Sequence, residues 1–251
     1  MSFSLLNKVA LVTGSSRGLG YGVAKSLGNV GAKVVINYLN DRESAEKALG
    51  SLKAEGIHAM LVRADVSDPE QIASLVEAVE EKFGSLDILV PNATPDQPQK
   101  PIEEYAPDFY RQMYDAFVMS PFHLDQAVLP GMKKRGHGRI INITSEVFHC
   151  SVPEFSAYVA AKGGQIGWSR SMANELAPFG ITVNTVAPGW IPTERHEDDP
   201  QEDKDAYLKT IPLGRWGTPE DVGNAVSYFS SDEASFITGQ TICVNGGRTP
   251  W

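Results

Sequence analysis

Lys8-Val9-Ala10-Leu11-Val12-Thr13-Gly14-Ser15-Ser16-Arg17-Gly18-Leu19-Gly20 is the stretch on which the fold turns. Its first six residues form a largely apolar run of strand length, the pattern of a strand buried on both faces. Gly14, Gly18 and Gly20 follow, and behind them an amphipathic pattern predicts a helix through about Val30. Strand, glycine loop and helix together make the context of a phosphate cradle. Glycines permit a tight turn and a close backbone approach to a pyrophosphate, while the helix start offers free N–H groups and a partial positive charge. The spacing is T-G-x-x-x-G-x-G rather than G-x-G-x-x-G, so a tight turn without a ligand is the competing reading.

Downstream the chain alternates between strand and helix patterns. Strands are expected at 34–38, 59–64, 86–90, 139–145, 181–186 and 240–244, and helices at 42–55, from Asp68 to Phe83, and from the Ser156 region to about Leu176. Asp68, with Pro69 behind it and Gln71 three residues on, is a helix-start signature. A helix containing 109–113 is expected to be interrupted near Ser120-Pro121 and to continue to about Arg135. The segment 191–214 is acidic and lacks a long apolar face; it reads as a substrate lid or as a solvated surface excursion. No linker or internal repeat divides residues 1–251, so one α/β domain is expected.

At the end of the second strand a carboxylate would normally bind an adenosine ribose diol and reject a 2′-phosphate. Asn37, Tyr38, Leu39 and Asn40 occupy that position, and Arg17 places a cation within the glycine loop. The combination favours NADPH over NADH, the alternative being a merely solvated Arg17. Asp65, at the end of the third strand, could accept from an adenine amino group or serve as a cap.

Composition narrows the function classes. A net charge of -9 with no basic cluster argues against a nucleic-acid or anionic-membrane surface. Cys150 and Cys243 are far apart and suit reduced core cysteines, and the five histidines show no metal-ligand spacing. No signal-like region or spanning run is seen, which makes the cytoplasm the default compartment.

Tyr158 and Lys162 stand four residues apart and share a helix face. An ammonium beside a phenol favours the phenolate, and so is expected to lower the phenol's pKa toward neutrality. Ser145, thirteen residues upstream, puts a hydroxyl at a strand's carboxyl end, where ligands of open parallel sheets sit. Glu146, Val147, Phe155 and Trp190 are expected in a substrate wall. Glu146 could instead anchor its loop through backbone N–H groups.

Taken together, Thr13–Gly20, Asp65-Val66, Ser145, Tyr158-x-x-x-Lys162, Ile181–Asn184, Pro188–Thr193 and Gly239–Gly247 resemble the short-chain dehydrogenase/reductase family, in its 3-oxoacyl-carrier-protein-reductase-like subgroup. The likeness runs from Asn7 to Gly247. It implies a Rossmann-type three-layer fold with a central parallel sheet of about seven strands and helices on both faces. It also implies a homotetramer and an oxidoreductase that interconverts a ketone and a secondary alcohol with a nicotinamide cofactor. Ser145, Tyr158 and Lys162 take the catalytic positions. Gly14, Ser16, Arg17, Gly18, Leu19, Gly20, Asn37, Tyr38, Asp65, Val66, Asn92, Ala93, Pro188, Gly189, Ile191 and Thr193 fall at the cofactor, with Lys162 also at its ribose. Two departures stand out. Pro91-Asn92-Ala93-Thr94 replaces the family's N-N-A-G, and Phe117 replaces an asparagine that opens the helix and holds a proton-relay water. An alternative is therefore a cofactor-binding protein with little or no turnover.

Overall fold

A computed structural model describes residues 3–249. Seven strands, β1 (Val9–Val12), β2 (Lys33–Tyr38), β3 (Ala59–Arg63), β4 (Ile88–Val90), β5 (Gly138–Ile143), β6 (Ile181–Pro188) and β7 (Thr241–Val244), form one sheet. The order is β3-β2-β1-β4-β5-β6-β7, with every pairing parallel. The chain winds outward from β1 to β3 and then restarts on the other side of β1 with β4. That reversal opens a crevice beyond the carboxyl ends of β1 and β4.

Successive strand residues point to opposite faces, and both faces are covered. Ala10, Val12, Val34, Ile36, Ile88 and Val90 pack under α1 (Gly18–Asn29) and α9 (Pro219–Ser230). Val9, Leu11, Val35, Leu89 and Ile140 pack under α3 (Pro69–Phe83), α5 (Ser120–Arg135) and α7 (Ser156–Leu176). The α1–α9 contact is close: a Cβ on Gly22 would lie 2.2 Å from Pro219 Cβ, so glycine sets the helix separation. A smaller cluster of Met113, Phe117, Ala157 and Ala161 joins α7 to α4 (Pro107–Tyr114) and fixes the start of α7.

Asp68 caps α3 by accepting from the Glu70 and Gln71 N–H groups. Asp41 caps α2 (Arg42–Ala54) through Ser44 N–H, and Thr218 with Asp221 forms a capping box on α9. The expected break at Ser120-Pro121 is a π-helical turn over Asp115–Met119 immediately before it. Pro121 has no N–H for the Phe117 carbonyl, and the wider turn absorbs that mismatch without ending the helix.

The segment 191–214 carries a 3₁₀ turn at Glu194–His196 and the helix α8 (Gln201–Leu208). A further single turn, α6 (Val147–Cys150), follows Ser145. Cys150 and Cys243 are free thiols but only partly buried, not core residues. Among the described residues no helix is long and apolar enough to cross a membrane.

Candidate active site

The carboxyl ends of β1 and β4 are stitched together by one hydroxyl. Thr13 Oγ1 accepts from the backbone N–H groups of Asn92 (2.8 Å) and Ala93 (3.0 Å). Asn92 Nδ2 returns a bond to the Thr13 carbonyl at 2.9 Å. Gly14 sits at φ +61, and a side chain there would start 2.9 Å from Ala93 Cα. Glycine is thus required at the turn itself.

The helix behind the loop fits a pyrophosphate. Unlike α2, α3 and α9, α1 has no side-chain cap and no acidic residue in its first turn. Its leading N–H groups and positive dipole end are left for an anion. Ser16, Arg17, Gly18, Leu19 and Gly20 all lie on this loop or the first turn of α1.

Two residues expected at the cofactor also have partners within the protein. Asn37 is buried, and its side chain is used within the protein: Oδ1 accepts from Gly14 N–H (3.2 Å) and Nδ2 donates to the Ala64 carbonyl (3.0 Å). It braces the glycine loop from below. Asp65 Oδ1 accepts from both the N–H and hydroxyl of Ser67, and the capping role belongs to Asp68. Tyr38 and Val66 are half-buried near the same edge. Arg17 remains 68% exposed, with Asp41 Oδ2 3.6 Å from its guanidinium. Asp41 lies one residue beyond the Asn37–Asn40 window.

Ser145 follows β5, and its Oγ accepts from Val147 N–H at 3.3 Å. Tyr158, in the first turn of α7, lies between two rings, with centroids 5.2 Å from Phe117 and 4.9 Å from Phe155. Burial pushes its phenol up to about 12, against the smaller opposing effects of the Ser145 hydroxyl and the charge of Arg195. Lys162 is 3% exposed; its Nζ donates to the Ile143 carbonyl (2.8 Å) and to Gln165 Oε1 (3.1 Å). Burial holds the amine well below the usual lysine range. The expected lowering of the Tyr158 pKa by Lys162 is therefore corrected for the cofactor-free protein: apolar packing dominates both groups.

The far wall is built from β6 and its sequel. Gly189 N–H donates to the Val244 carbonyl, Ile191 is buried, and Thr193 forms a capping box with His196. Thr193 and Glu194 reach over the glycine loop, within 3.6 Å of where a Gly18 side chain would begin. Arg195 crosses the crevice to the Pro95 carbonyl (3.0 Å) and Asp96 (3.1 Å), latching the segment to the loop after β4. Trp190 packs edge-on against His196, Tyr207 and Trp216.

Glu146 does not line this wall. It is 3% exposed and accepts from the Tyr207 hydroxyl (2.6 Å), Asn245 Nδ2 (2.9 Å) and the Arg248 guanidinium (2.6 Å). Its own N–H donates to the Pro188 carbonyl. One carboxylate thus ties the serine loop to α8 and to the C-terminal segment, through side chains rather than backbone N–H groups. Arg248 accordingly packs within its own chain, and Pro250 and Trp251, expected at a subunit contact, lie outside the described residues. Val147 and Phe155 stay beside Ser145 and Tyr158, partly exposed. Tyr207 and the pairing of Arg248 with Glu146 escaped sequence reasoning because nothing local marks them; Tyr207 is the lone aromatic of an acidic stretch.

Residues 14–249 match a protein family described as enoyl-(acyl carrier protein) reductase. The chain is 40% identical over 244 residues to the 3-oxoacyl-[acyl-carrier-protein] reductase FabG of Staphylococcus aureus (strain Mu50), covering 96% of this chain and 98% of that one. It is 40% identical over 242 residues to FabG of Escherichia coli (strain K12), covering 96% of each. A solved chain described as a short-chain alcohol dehydrogenase from Sinorhizobium meliloti 1021 superposes with a TM-score of 0.90 at 32% identity over 98% of both chains. With its seven parallel strands and near-complete coverage by these relatives, the chain belongs to the short-chain dehydrogenase/reductase family, in the 3-oxoacyl-carrier-protein-reductase-like subgroup, as an NAD(P)-dependent enzyme.

Proposed function

We propose that the protein reduces a ketone to a secondary alcohol with NADPH, or runs the reverse reaction, with Tyr158 as the proton donor. The observation that carries this reading is the placement of Ser145, just after β5, and Tyr158, in the first turn of α7, at the carboxyl edge of the sheet, where two hydroxyl donors could meet one carbonyl oxygen. NADPH, when bound, supplies the hydride. Tyr158 transfers its phenolic proton to the carbonyl oxygen as negative charge develops there. Ser145 donates to the same oxygen, an interaction strongest at the transition state. The packing that keeps the phenol protonated also keeps the acid form in place at neutral pH. Gly14, Gly18, Leu19 and Gly20 would cradle the pyrophosphate, and Arg17 would pair with a 2′-phosphate, which is why NADPH is preferred to NADH here.

Trp190, Phe155 and Val147 form the substrate side of the site in this reading. The named activity of the FabG relatives makes a 3-oxoacyl thioester one candidate substrate beside simple ketones. Cofactor binding without turnover is not supported, since the Ser145/Tyr158/Lys162 set is intact. A homotetramer in the cytoplasm completes the proposal, and sedimentation showing a monomer at micromolar concentration would remove its first part.

The test is NADPH oxidation against a panel of ketones, 3-oxoacyl thioesters and enoyl thioesters, with Tyr158→Phe as control. Turnover lost in Tyr158→Phe supports the reading. Wild type and variant equally inert while NADPH binds tightly would defeat it.

A further inference from the structure

Lys162 is a buried amine with no carboxylate against it among the described residues, and burial shifts its titration. Its nitrogen is nevertheless held from three directions: the Ile143 carbonyl at 2.8 Å, Gln165 Oε1 at 3.1 Å, and the face of the Phe117 ring, whose centroid is 3.8 Å away. Only one of these three is a polar side chain. Gln165 is 1% exposed and lies one turn further along α7, on the face that carries Lys162. Its backbone carbonyl accepts from Ser169 Oγ at 2.7 Å, so the turn is itself pinned. Beside this group lies a cavity of about 10 Å³, the size of roughly one water, lined among others by Ser120, Phe117, Ile143, Lys162 and Gln165.

Resting on the carbonyl-reductase reading, we infer that Gln165 is a positioning residue: its amide oxygen fixes the Lys162 nitrogen beside Tyr158 and stabilises its ammonium form. An apolar residue at 165 would leave Lys162 with a backbone carbonyl and a ring face, too little to offset the desolvation of a charge at this depth. Phe117, which offers only its ring face to the lysine, makes the amide of Gln165 necessary. An asparagine at 117 would bring a second amide within reach of the same nitrogen.

The experiment compares wild type, Gln165→Leu, Gln165→Met, Tyr158→Phe and the double variant Phe117→Asn/Gln165→Leu, each checked for folding by circular dichroism. Gln165→Leu is expected to lower kcat by roughly tenfold, the scale of one hydrogen bond to a charged group, with KM little changed. Less ammonium leaves the Tyr158 phenolate harder to form, so the acid limb of kcat/KM for alcohol oxidation moves to higher pH. Phe117→Asn/Gln165→Leu is expected to recover at least half of the lost rate on a logarithmic scale. If Gln165→Leu does not fold, Gln165→Met carries the same expectation. A folded variant with unchanged kcat and pH limb, while Tyr158→Phe is inactive, overturns the inference and spares the reading of the enzyme. So does a fall in kcat without movement of the limb or rescue, which marks a packing role. Wild type inert on every substrate while binding NADPH would sink both together.

Discussion

The Lys162 nitrogen lies 3.8 Å from the centre of the Phe117 ring and 5.6 Å from that of Tyr158. Phe117 is therefore an integral part of the lysine's surroundings, in the place where the family resemblance implies a polar relay residue. It is also 2% exposed and among the largest fully buried side chains. Phe117→Ala removes both a ring face and a core volume, and is expected to destabilise the fold by about 3 kcal/mol. Denaturant titration checks this; a loss below about 1 kcal/mol would mean the cluster collapses to fill the space.

Tyr158 should be a silent acid in the cofactor-free protein. Burial raises its phenol to about 12, above the ~10 of an exposed tyrosine. The native state therefore binds the extra proton between those values. This contribution to stability is complete below pH ~10 and is lost as pH rises through about 12. The difference in tyrosinate absorbance between wild type and Tyr158→Phe should stay flat to about pH 11. A midpoint near 8 would show that Lys162 is charged and coupled to the phenol even without cofactor.

The parts legible in the sequence are those with a local signature. The Thr13–Gly20 loop declared β1 and α1 because an apolar run, glycines and a helix must be contiguous to work. Asp68 announced α3 because a cap, a proline and a glutamine sit within four residues. The partners of Glu146 had no such signature. Tyr207, Asn245 and Arg248 lie 61, 99 and 102 residues away in sequence, and only the β6–β7 pairing and the return of the C-terminal segment bring them together. Asn37 is a related case: its position at a strand end was legible, but the bonds of its side chain to Gly14 N–H and the Ala64 carbonyl were not. The π-turn was visible as an irregularity at Pro121, whereas its effect on Lys162 required knowing that α4 and α7 are packed together.

Cofactor choice should depend on the Arg17–Asp41 pair. Asp41 Oδ2 lies 3.6 Å from the guanidinium and would compete with a 2′-phosphate for it. Asp41→Asn removes that competitor and keeps a good N-cap for α2, since asparagine caps as well as aspartate. The expected result is a several-fold rise in the NADPH-over-NADH ratio of kcat/KM with an unchanged melting temperature. Arg17→Ala should reduce the same ratio by about tenfold, the scale of a single exposed-to-half-buried charge contact. Equal use of both cofactors by wild type would remove the basis of this expectation.

The Glu146–Arg248 pair should be worth more to the site than to its own loop. Glu146 is nearly inaccessible while Arg248 keeps 23% of its side-chain surface. Removing the carboxylate strands a guanidinium, the Tyr207 hydroxyl and an amide at once, whereas removing the arginine leaves two of the three donors in place. Glu146→Ala is thus expected to cost about 3 kcal/mol and Arg248→Ala about 1–2 kcal/mol, with the double variant well short of their sum. Tyr207 also donates into this node while its hydroxyl accepts from Trp190 N–H at 2.7 Å. Loosening the node therefore frees α8 and the Trp190 wall together, so KM for the carbonyl substrate should rise in Glu146→Ala and also in Tyr207→Phe, which removes only the hydroxyl. The discriminating measurement is cofactor affinity. The glycine loop does not touch this node, and the bond from residue 146 N–H to the Pro188 carbonyl survives in Glu146→Ala, so the Kd for NADPH should stay within about twofold of wild type. A parallel loss of NADPH binding would show that the disturbance spreads through the sheet edge and is not confined to the substrate side.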